Sequence, residues 1–212
     1  MTTHRPYNNI HDYKALDDVL ARGGVAIVPT ETVYGLAARP DNKASIDKIY
    51  ALKGRDFNKP LALCVRHEHH YKNLVEWSPL ARELAAAFWP GPLTLVMPAR
   101  LPSQIDLRLY GKDALGNPTL ALRCAQTSWS PYCQTMPLAL TSANRSGHAD
   151  ATSFDAAYEI FGKDIDGAYQ EIGSARGTPS TIIALDGRKA KVLRRGTMKA
   201  ADFAAFDIDW QF

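Results

Sequence analysis

The sequence predicts an α/β fold, with a single open, twisted mixed sheet flanked by helices. Short apolar runs that suit buried strands, such as residues 25–28 and 61–65, alternate with helical patterns along most of the chain. Two later strand-like runs flank the turn Asp186-Gly187-Arg188, which predicts a hairpin and therefore a mixed sheet. With 212 residues, 46% of them hydrophobic, the chain is long enough to bury one core.

The first elements follow from the spacing of apolar residues and from residues that end helices. Residues 11–22 predict a helix, because apolar side chains recur at helical spacing and the glycine pair at 23–24 ends the pattern. A short buried strand is expected at 25–28. We expect Ser45 to cap a second helix, whose apolar face begins at the next residue, and Gly54 to lie just past its end.

The remaining elements continue this alternation. Further strands are predicted at 61–65, 93–97, 120–123, 138–141, 181–185 and 191–193. A third helix should open at Ser78-Pro79, because proline suits the first helical position, and a fourth at 153–161. Residues 99–118 form the longest irregular stretch, which is typical of a lid or binding loop.

Composition narrows the class of protein. The net charge of +3 favours an anionic ligand slightly and is low for a dedicated nucleic-acid-binding protein. Cys64, Cys124 and Cys133 are too few and scattered for a disulfide framework, and they form no Cys-x-x-Cys pair for structural zinc. No apolar run approaches the ~20 residues of a membrane span. We therefore expect a cytoplasmic protein with no metal site and no membrane association.

Polar blocks follow several of the predicted strands and helices. Side chains at strand ends are where open α/β sheets bind ligands, although each block alone also fits an ordinary loop. The blocks are Val28-Pro29-Thr30-Glu31-Thr32-Val33-Tyr34-Gly35-Leu36, Lys53-Gly54-Arg55, Trp89-Pro90-Gly91-Pro92-Leu93-Thr94, Thr141-Ser142-Ala143-Asn144 and Ser180-Thr181.

The block Lys53-Gly54-Arg55, together with Lys59, places three cations near the end of the second predicted helix. Lysine and arginine there can simply offset the helix dipole. Alternatively they bind phosphate, if cations such as Arg123 and Arg194 arrive from predicted strand ends. We expect Lys53 and Arg55 to be exposed charges whose removal lowers activity at least tenfold, about 1.4 kcal/mol in barrier, with little effect on stability.

The ordered set of five blocks resembles the Sua5/YciO/YrdC family, and most closely its threonylcarbamoyl-AMP synthase branch. The resemblance runs from about residue 23 to residue 196. It implies a single YrdC-like domain over residues 1–212, with a core at about 12–197 and a basic concave face. The longer branch of the family adds a second C-terminal domain, which we do not expect here.

The resemblance also implies a reaction and its partners. L-Threonine, bicarbonate or carbon dioxide, and ATP would yield threonylcarbamoyl-AMP and pyrophosphate, with Mg²⁺ accompanying the triphosphate. Such an enzyme is a nucleotidyltransferase, and its product goes to a separate transferase that modifies adenosine-37 of tRNA. Weak binding of tRNA would be compatible with this role. No covalent intermediate is needed, so the cysteines are expected to be non-catalytic.

Site residues are carried over from the family position by position. Lys53 and Arg55 match a Lys-x-Arg pair that acts on the triphosphate of ATP and are the expected catalytic residues. The expected nucleotide contacts are Arg55, Lys59, Thr119, Asn144, Thr152 and Arg194. The expected contacts to L-threonine are Thr32, Arg123, Ser142 and Ser180. The family often has asparagine and histidine where this chain carries Lys59 and Cys64, and the role of Glu31 stays open between a structural hydrogen bond and a direct one.

Other functions leave weaker signals. The run His67-Glu68-His69-His70 has a metal-like composition, but its histidines are too close together to face one point from regular structure. The chain has neither a Gly-x-Ser-x-Gly elbow nor a Walker-type loop. A non-catalytic RNA-binding module, or a carbamoyl-adenylate enzyme with another acceptor, remain the alternatives. Threonine-dependent release of pyrophosphate would distinguish them.

Overall fold

The apolar runs of the sequence form strands of one mixed sheet. The structure is a computed structural model that describes residues 9–10, 13–66, 71–101, 104–127, 129, 136–170, 177–187 and 189–210. The strands are β1 (Asn9–Ile10), β2 (Ala26–Val28), β3 (Gly35–Ala38), β4 (Ala62–Cys64), β5 (Leu93–Pro98), β6 (Gly111–Lys112), β7 (Pro118–Arg123), β8 (Leu138–Ser142), β9 (Gly167–Tyr169), β10 (Thr181–Asp186) and β11 (Lys189–Arg194). Within the described residues they pair in the order β1-β9-β2-β3-β8-β4-β7-β5-β10-β11, with β6 beside β7.

Four α-helices among the described residues flank this sheet. They are α1 (Tyr13–Ala21), α2 (Lys43–Lys53), α3 (Pro79–Phe88) and α4 (Phe154–Phe161). All four predicted helices are therefore confirmed, with residues 11 and 12 of the first lying outside the described residues. None of these helices has the length and apolar character needed to cross a bilayer.

Helix α2 begins and ends as capping rules require, but its first cap differs from the prediction. Asn42 is the N-cap, and its side chain accepts a hydrogen bond from the backbone N–H of Ser45 at 3.0 Å. The prediction that Ser45 caps the helix was wrong. Its hydroxyl instead donates to the carbonyl of Gly23 at 2.7 Å, which ties α2 to the turn before β2. Gly54 takes the left-handed conformation just past the helix, as predicted.

The pairing of the strands confirms a mixed sheet. β10 and β11 form the predicted antiparallel hairpin, whereas β5 runs parallel to β10 and β4 parallel to β7. Sequence analysis did not predict β3, which pairs antiparallel with β2. The polar block that begins at Val28 therefore joins two strands, and not a strand and a helix. The run Gly35-Leu36-Ala37-Ala38 carries no alternating pattern, because the strand is buried on both faces.

Apolar packing covers both faces of the sheet. Successive residues of β4 show this, since Leu63 belongs to the larger core cluster and Cys64 to a smaller one on the other face. The long stretch 99–118 contains a 3-10 turn, Leu107–Leu109, and β6. Arg108 in that turn pairs with Asp106 at 2.7 Å and with Asp47 of α2, so the stretch is fastened to the helix.

We expect Asn42→Ala to destabilise the fold by about 1 kcal/mol, because the N-terminal N–H groups of α2 lose their side-chain acceptor. Asn42→Asp is the matched control, since it keeps an acceptor oxygen at the cap. Urea denaturation of the two variants beside the parent chain measures the difference. Equal stability of the alanine variant and the parent would contradict the assignment of the cap.

Candidate functional site

A cavity of about 280 Å³ lies on one face of the sheet where β4, β5, β7, β8, β10 and β11 contribute side chains. Its floor is apolar and includes two small residues, Ala62 and Ala121. Ala121 lies opposite Val96 in the β5–β7 pair, and Ala62 lies opposite Leu140 in the β4–β8 pair. Small side chains at these positions leave room above the sheet for a ligand.

Arg55 enters the cavity wall from the loop after α2. Its Nε donates to the carbonyl of Lys59 at 2.8 Å, and its Nη2 donates to the carbonyl of Pro60 at 3.0 Å. The same Lys59 carbonyl accepts from the Tyr50 hydroxyl at 3.0 Å. The loop therefore holds the guanidinium by its Nε and Nη2 edge, and the Tyr50 side chain also interacts with this group.

Arg123 lies at the end of β7 and is held by an ion pair. Its Nη2 donates to Glu31 Oε1 at 2.8 Å and to Thr32 Oγ1 at 2.9 Å, and its Nε lies 3.4 Å from the carbonyl of Gly91. The other oxygen of Glu31 accepts from the backbone N–H of Gln126 at 3.2 Å. The open question about Glu31 thus has a structural answer: its buried carboxylate orients Arg123.

Arg194 lies at the end of β11 and is fastened to Ser180. Nε and Nη2 both donate to the carbonyl of Ser180, at 3.1 and 2.9 Å. Nη2 also donates to the Ser180 hydroxyl at 3.1 Å, and that hydroxyl lies 2.8 Å from Thr94 Oγ1.

The three arginines therefore share one arrangement. Each uses Nε and Nη2 for hydrogen bonds to the protein, and in Arg123 and Arg194 the Nη1 group has no hydrogen-bond partner among the described residues. All three line the same cavity. A guanidinium can only donate and stays charged, so these groups form a cavity built for anionic ligands such as carboxylates and phosphates.

The structure divides the predicted site residues into two sets. Five of them line the cavity: Arg55, Arg123, Ser142, Ser180 and Arg194. The others are not part of its wall: Thr32, Lys53, Lys59, Thr119, Asn144 and Thr152.

Members of the second set still support the cavity wall from behind. Thr32 is fully buried and accepts from Arg123, while Asn144 accepts from the hydroxyl of Ser142 at 2.7 Å. Lys59 and Thr152 are exposed, and Thr119 is buried on β7.

Sequence reasoning did not predict three threonines of the cavity wall, Thr30, Thr94 and Thr141, as site residues. Thr94 lies inside the apolar run of β5, where a buried hydroxyl needs a partner or a ligand. That isolated polar residue is the signal that could have identified it. Thr30 lies in the first polar block, and its hydroxyl donates to the carbonyl of Val33 at 2.6 Å.

The cysteines are placed among packing residues. Cys64 lines the cavity and is buried, while burial raises the pKa of Cys124 to about 12. A thiol with so high a pKa is a poor nucleophile near neutral pH. Cys133 and the run His67-Glu68-His69-His70 lie outside the described residues.

A family model matches most of the chain. The Sua5/YciO/YrdC model, described as "Telomere recombination", matches residues 18–196. The chain belongs to the Sua5/YciO/YrdC family. The resemblance inferred from the five polar blocks is thereby confirmed.

Three relatives illustrate the range of this family. A protein of Thiobacillus denitrificans named threonylcarbamoyl-AMP synthase is 36% identical over 181 residues, which are 82% of this chain and 90% of that protein. The structure of P. abyssi Sua5 complexed with L-threonine superposes with a TM-score of 0.81 at 28% identity, over 94% of this chain and 61% of that chain. E. coli YciO shares the fold, with a TM-score of 0.78 at 17% identity over 92% of this chain and 95% of that chain.

Lys53 of this family member does not have the environment that the sequence predicted. It is only 2% exposed, so the expectation of a solvent-exposed charge was wrong. Its ammonium donates to the carbonyl of Ser142, to the carbonyl of Asn144 at 2.7 Å and to Asn144 Oδ1 at 2.9 Å. Three donors meet three acceptors, so Lys53 fastens the loop after β8 to the end of α2.

The same environment changes how Lys53 binds its proton. Burial, and to a lesser degree the positive charge of Arg55, lowers the pKa of Lys53 to about 8 from 10.5. In the unfolded chain the lysine regains its ordinary pKa. Between these two pH values the unfolded state therefore binds more protons, and the free energy of unfolding rises with pH through this group.

We expect Lys53→Met to lower the free energy of unfolding by at least about 2 kcal/mol, because three acceptors lose their donor. The deficit relative to the parent should widen between pH 8 and pH 10.5, since only the parent gains stability from the shifted pKa. Urea denaturation at several pH values measures both effects.

Lys43→Met, on the exposed face of the same helix, is the control and should cost less than about 1 kcal/mol. A Lys53→Met variant as stable as this control would contradict the role of Lys53 in fastening the loop. A deficit that stays constant with pH would contradict the shifted pKa.

Proposed function

We propose that this chain is an L-threonylcarbamoyladenylate synthase, a single-domain nucleotidyltransferase that acts in tRNA modification. The observation that carries the proposal is the set of three fastened guanidinium groups around one cavity. The reaction must hold a carboxylate, a carbamate and a triphosphate together, and such a cavity suits that task. The names of the relatives support the choice of threonine as the amino acid.

The proposed chemistry needs no covalent bond to the enzyme. The amine of L-threonine captures carbon dioxide, or bicarbonate with loss of water, and becomes a carbamate. A carbamate oxygen then attacks the α-phosphorus of ATP in line, and the bond to pyrophosphate breaks. The products are threonylcarbamoyl-AMP and pyrophosphate. The enzyme contributes by holding the reactants in place and by stabilising charge on the leaving group.

Arg123 is the proposed receptor for the threonine carboxylate. A carboxylate binds well to an arginine edge, and Glu31 and Thr32 already hold the opposite side of this guanidinium. Ser142 lies on the cavity wall and supplies a hydroxyl to the same substrate. Thr32 acts through Arg123, because its buried hydroxyl is part of the support and not of the wall.

Arg55 and Arg194 are the proposed phosphate ligands. Both line the cavity, and carbonyl acceptors fix the orientation of both guanidinium groups. Because the acceptors are already in place, little reorganisation is needed as charge develops on the pyrophosphate. Lys53 contributes by fastening the loop after β8. The further nucleotide contacts that we propose from the family pattern are Lys59, Thr119, Asn144 and Thr152.

Mg²⁺ is proposed to arrive with ATP as part of the substrate. Among the described residues, no group of three or more His, Cys, Asp and Glu side chains is placed to hold a metal ion. Bound to the phosphates, the ion would neutralise part of their charge. The protein's own share of that neutralisation falls to Arg55 and Arg194.

The product is proposed to pass to a separate transferase that acts on adenosine-37 of tRNA. Direct binding of tRNA by this chain should be weak, because the net charge is only +3. We propose a cytoplasmic location for this role. The alternative of an RNA-binding module has no observation of its own in its favour.

Purified protein with ATP, Mg²⁺, bicarbonate and L-threonine should release pyrophosphate and form an adenylate without added RNA. Omission of threonine should stop the release, because the carbamate nucleophile cannot form. A coupled assay for pyrophosphate, with mass spectrometry of the adenylate, measures both. If pyrophosphate does not depend on threonine and one RNA binds tightly at physiological salt, the RNA-binding alternative would replace this proposal.

The proposed roles of the arginines predict that substitutions affect different substrates. Arg55→Lys and Arg194→Lys should lower kcat/KM for ATP at least about tenfold, because lysine keeps the charge but loses the fixed edge. Arg123→Lys should instead raise KM for threonine about tenfold with a smaller change in KM for ATP. Arg195→Lys is the control, since Arg195 is exposed and not part of the cavity wall. Equal effects of all three variants on both substrates would contradict the assignment.

A further inference from the structure

Thr94 and Ser180 form a buried pair of hydroxyls on the cavity wall. Their oxygens lie 2.8 Å apart, and both residues are almost inaccessible to solvent. Thr94 lies in β5, and Ser180 immediately precedes β10, the parallel neighbour of β5. Both line the cavity, yet the roles described above make no use of Thr94.

The contact with Arg194 determines which hydrogen-bond donors and acceptors the two hydroxyls keep for a ligand. Its Nη2 lies 3.1 Å from Ser180 Oγ, and because a guanidinium can only donate, Ser180 must accept. The two hydroxyls carry two protons, and the bond between them uses one. Neither hydroxyl has another partner among the described residues, so one proton stays available on the cavity wall.

The pair also keeps an acceptor. If Ser180 donates to Thr94, then Thr94 retains its own proton and a lone pair. If Thr94 donates to Ser180, then Ser180 retains its proton and Thr94 retains its lone pairs. In both arrangements one donor and at least one acceptor remain, which is the combination that complements a hydroxyl group of a ligand.

The positive charge of Arg123 nearby indicates which kind of ligand would carry this hydroxyl. Thr94 lies directly opposite Arg123 in the antiparallel pair of β5 and β7. Residues opposite each other on one face have Cβ atoms about 5 Å apart. Arg123, Thr94 and Ser180 all line the cavity, so a ligand with its carboxylate on Arg123 lies beside the hydroxyl pair. A β-hydroxy acid carries both groups that these neighbouring side chains can bind.

We propose that Thr94, acting together with Ser180, recognises the side-chain hydroxyl of the substrate and restricts it to β-hydroxy-α-amino acids. This inference rests on the proposed function, since it assumes that Arg123 receives the amino acid carboxylate. It assigns Thr94 a part in specificity and explains why a hydroxyl lies inside an apolar strand.

The test compares L-threonine with L-2-aminobutyrate, which lacks only the hydroxyl. Thr94→Val removes the hydroxyl and keeps the shape of the side chain, whereas Thr94→Ser keeps the hydroxyl. The ratio of kcat/KM for threonine to kcat/KM for 2-aminobutyrate should fall about tenfold or more in the valine variant, because a hydrogen bond to the substrate is lost. The serine variant should keep most of the parent's ratio.

A structural role alone would lower both rates together and leave the ratio unchanged, and that result would overturn the inference. If Thr94→Val does not fold, Thr94→Ala is compared with Thr94→Ser for the same two substrates, with the same expected outcomes. If the parent chain releases no pyrophosphate with threonine and calorimetry detects no threonine binding, the proposed function fails and the inference fails with it. A parent with threonine-dependent release and a valine variant with the parent's ratio would overturn the inference alone.

Discussion

The site depends on keeping three guanidinium groups apart and correctly oriented around one cavity. Like charges around one cavity repel each other, and arginine cannot relieve this by losing its proton. Backbone carbonyls accept hydrogen bonds from Arg55 and Arg194, and the buried carboxylate of Glu31 accepts from Arg123. Each guanidinium is thereby hydrogen-bonded along its Nε and Nη2 edge. The energetic cost of orienting these groups is met in folding rather than during the reaction.

The topology of the sheet explains how distant segments supply these groups. β7 ends at Arg123 and β11 ends at Arg194, while Ser180 lies just before β10. The parallel pairs β4–β7 and β5–β10, joined by the antiparallel pair β5–β7, bring these strand ends to one region. Ala62 and Ala121 on the cavity floor leave the space above the sheet open. The cavity is thus a consequence of strand order and residue size.

The contacts of Lys53 add to what the family pattern predicts about this residue. The family pattern predicts Lys53 as a site residue, and its ammonium donates to the carbonyls of Asn144 and of Ser142, which lines the cavity. The structure adds that its three donors are already engaged inside the protein. We therefore propose that Lys53 positions the loop after β8 and that Arg55 makes the direct contact to phosphate. Under this proposal, one member of the Lys-x-Arg pair supports the site and the other binds the ligand.

The sequence by itself determined the α/β class, the four helices, the late hairpin and the family, because spacing, caps and ordered motifs are local properties of the chain. It missed β3, whose small apolar residues have no alternating pattern, and it misassigned the cap of α2. Only the tertiary structure decided which site residues line the cavity and which support it. The partners that settle this are far apart in sequence: Arg123 lies 92 residues from Glu31, and Lys53 lies 91 residues from Asn144. Motifs identify the residues, but only folding determines which of their donors are already bound and which remain for a ligand.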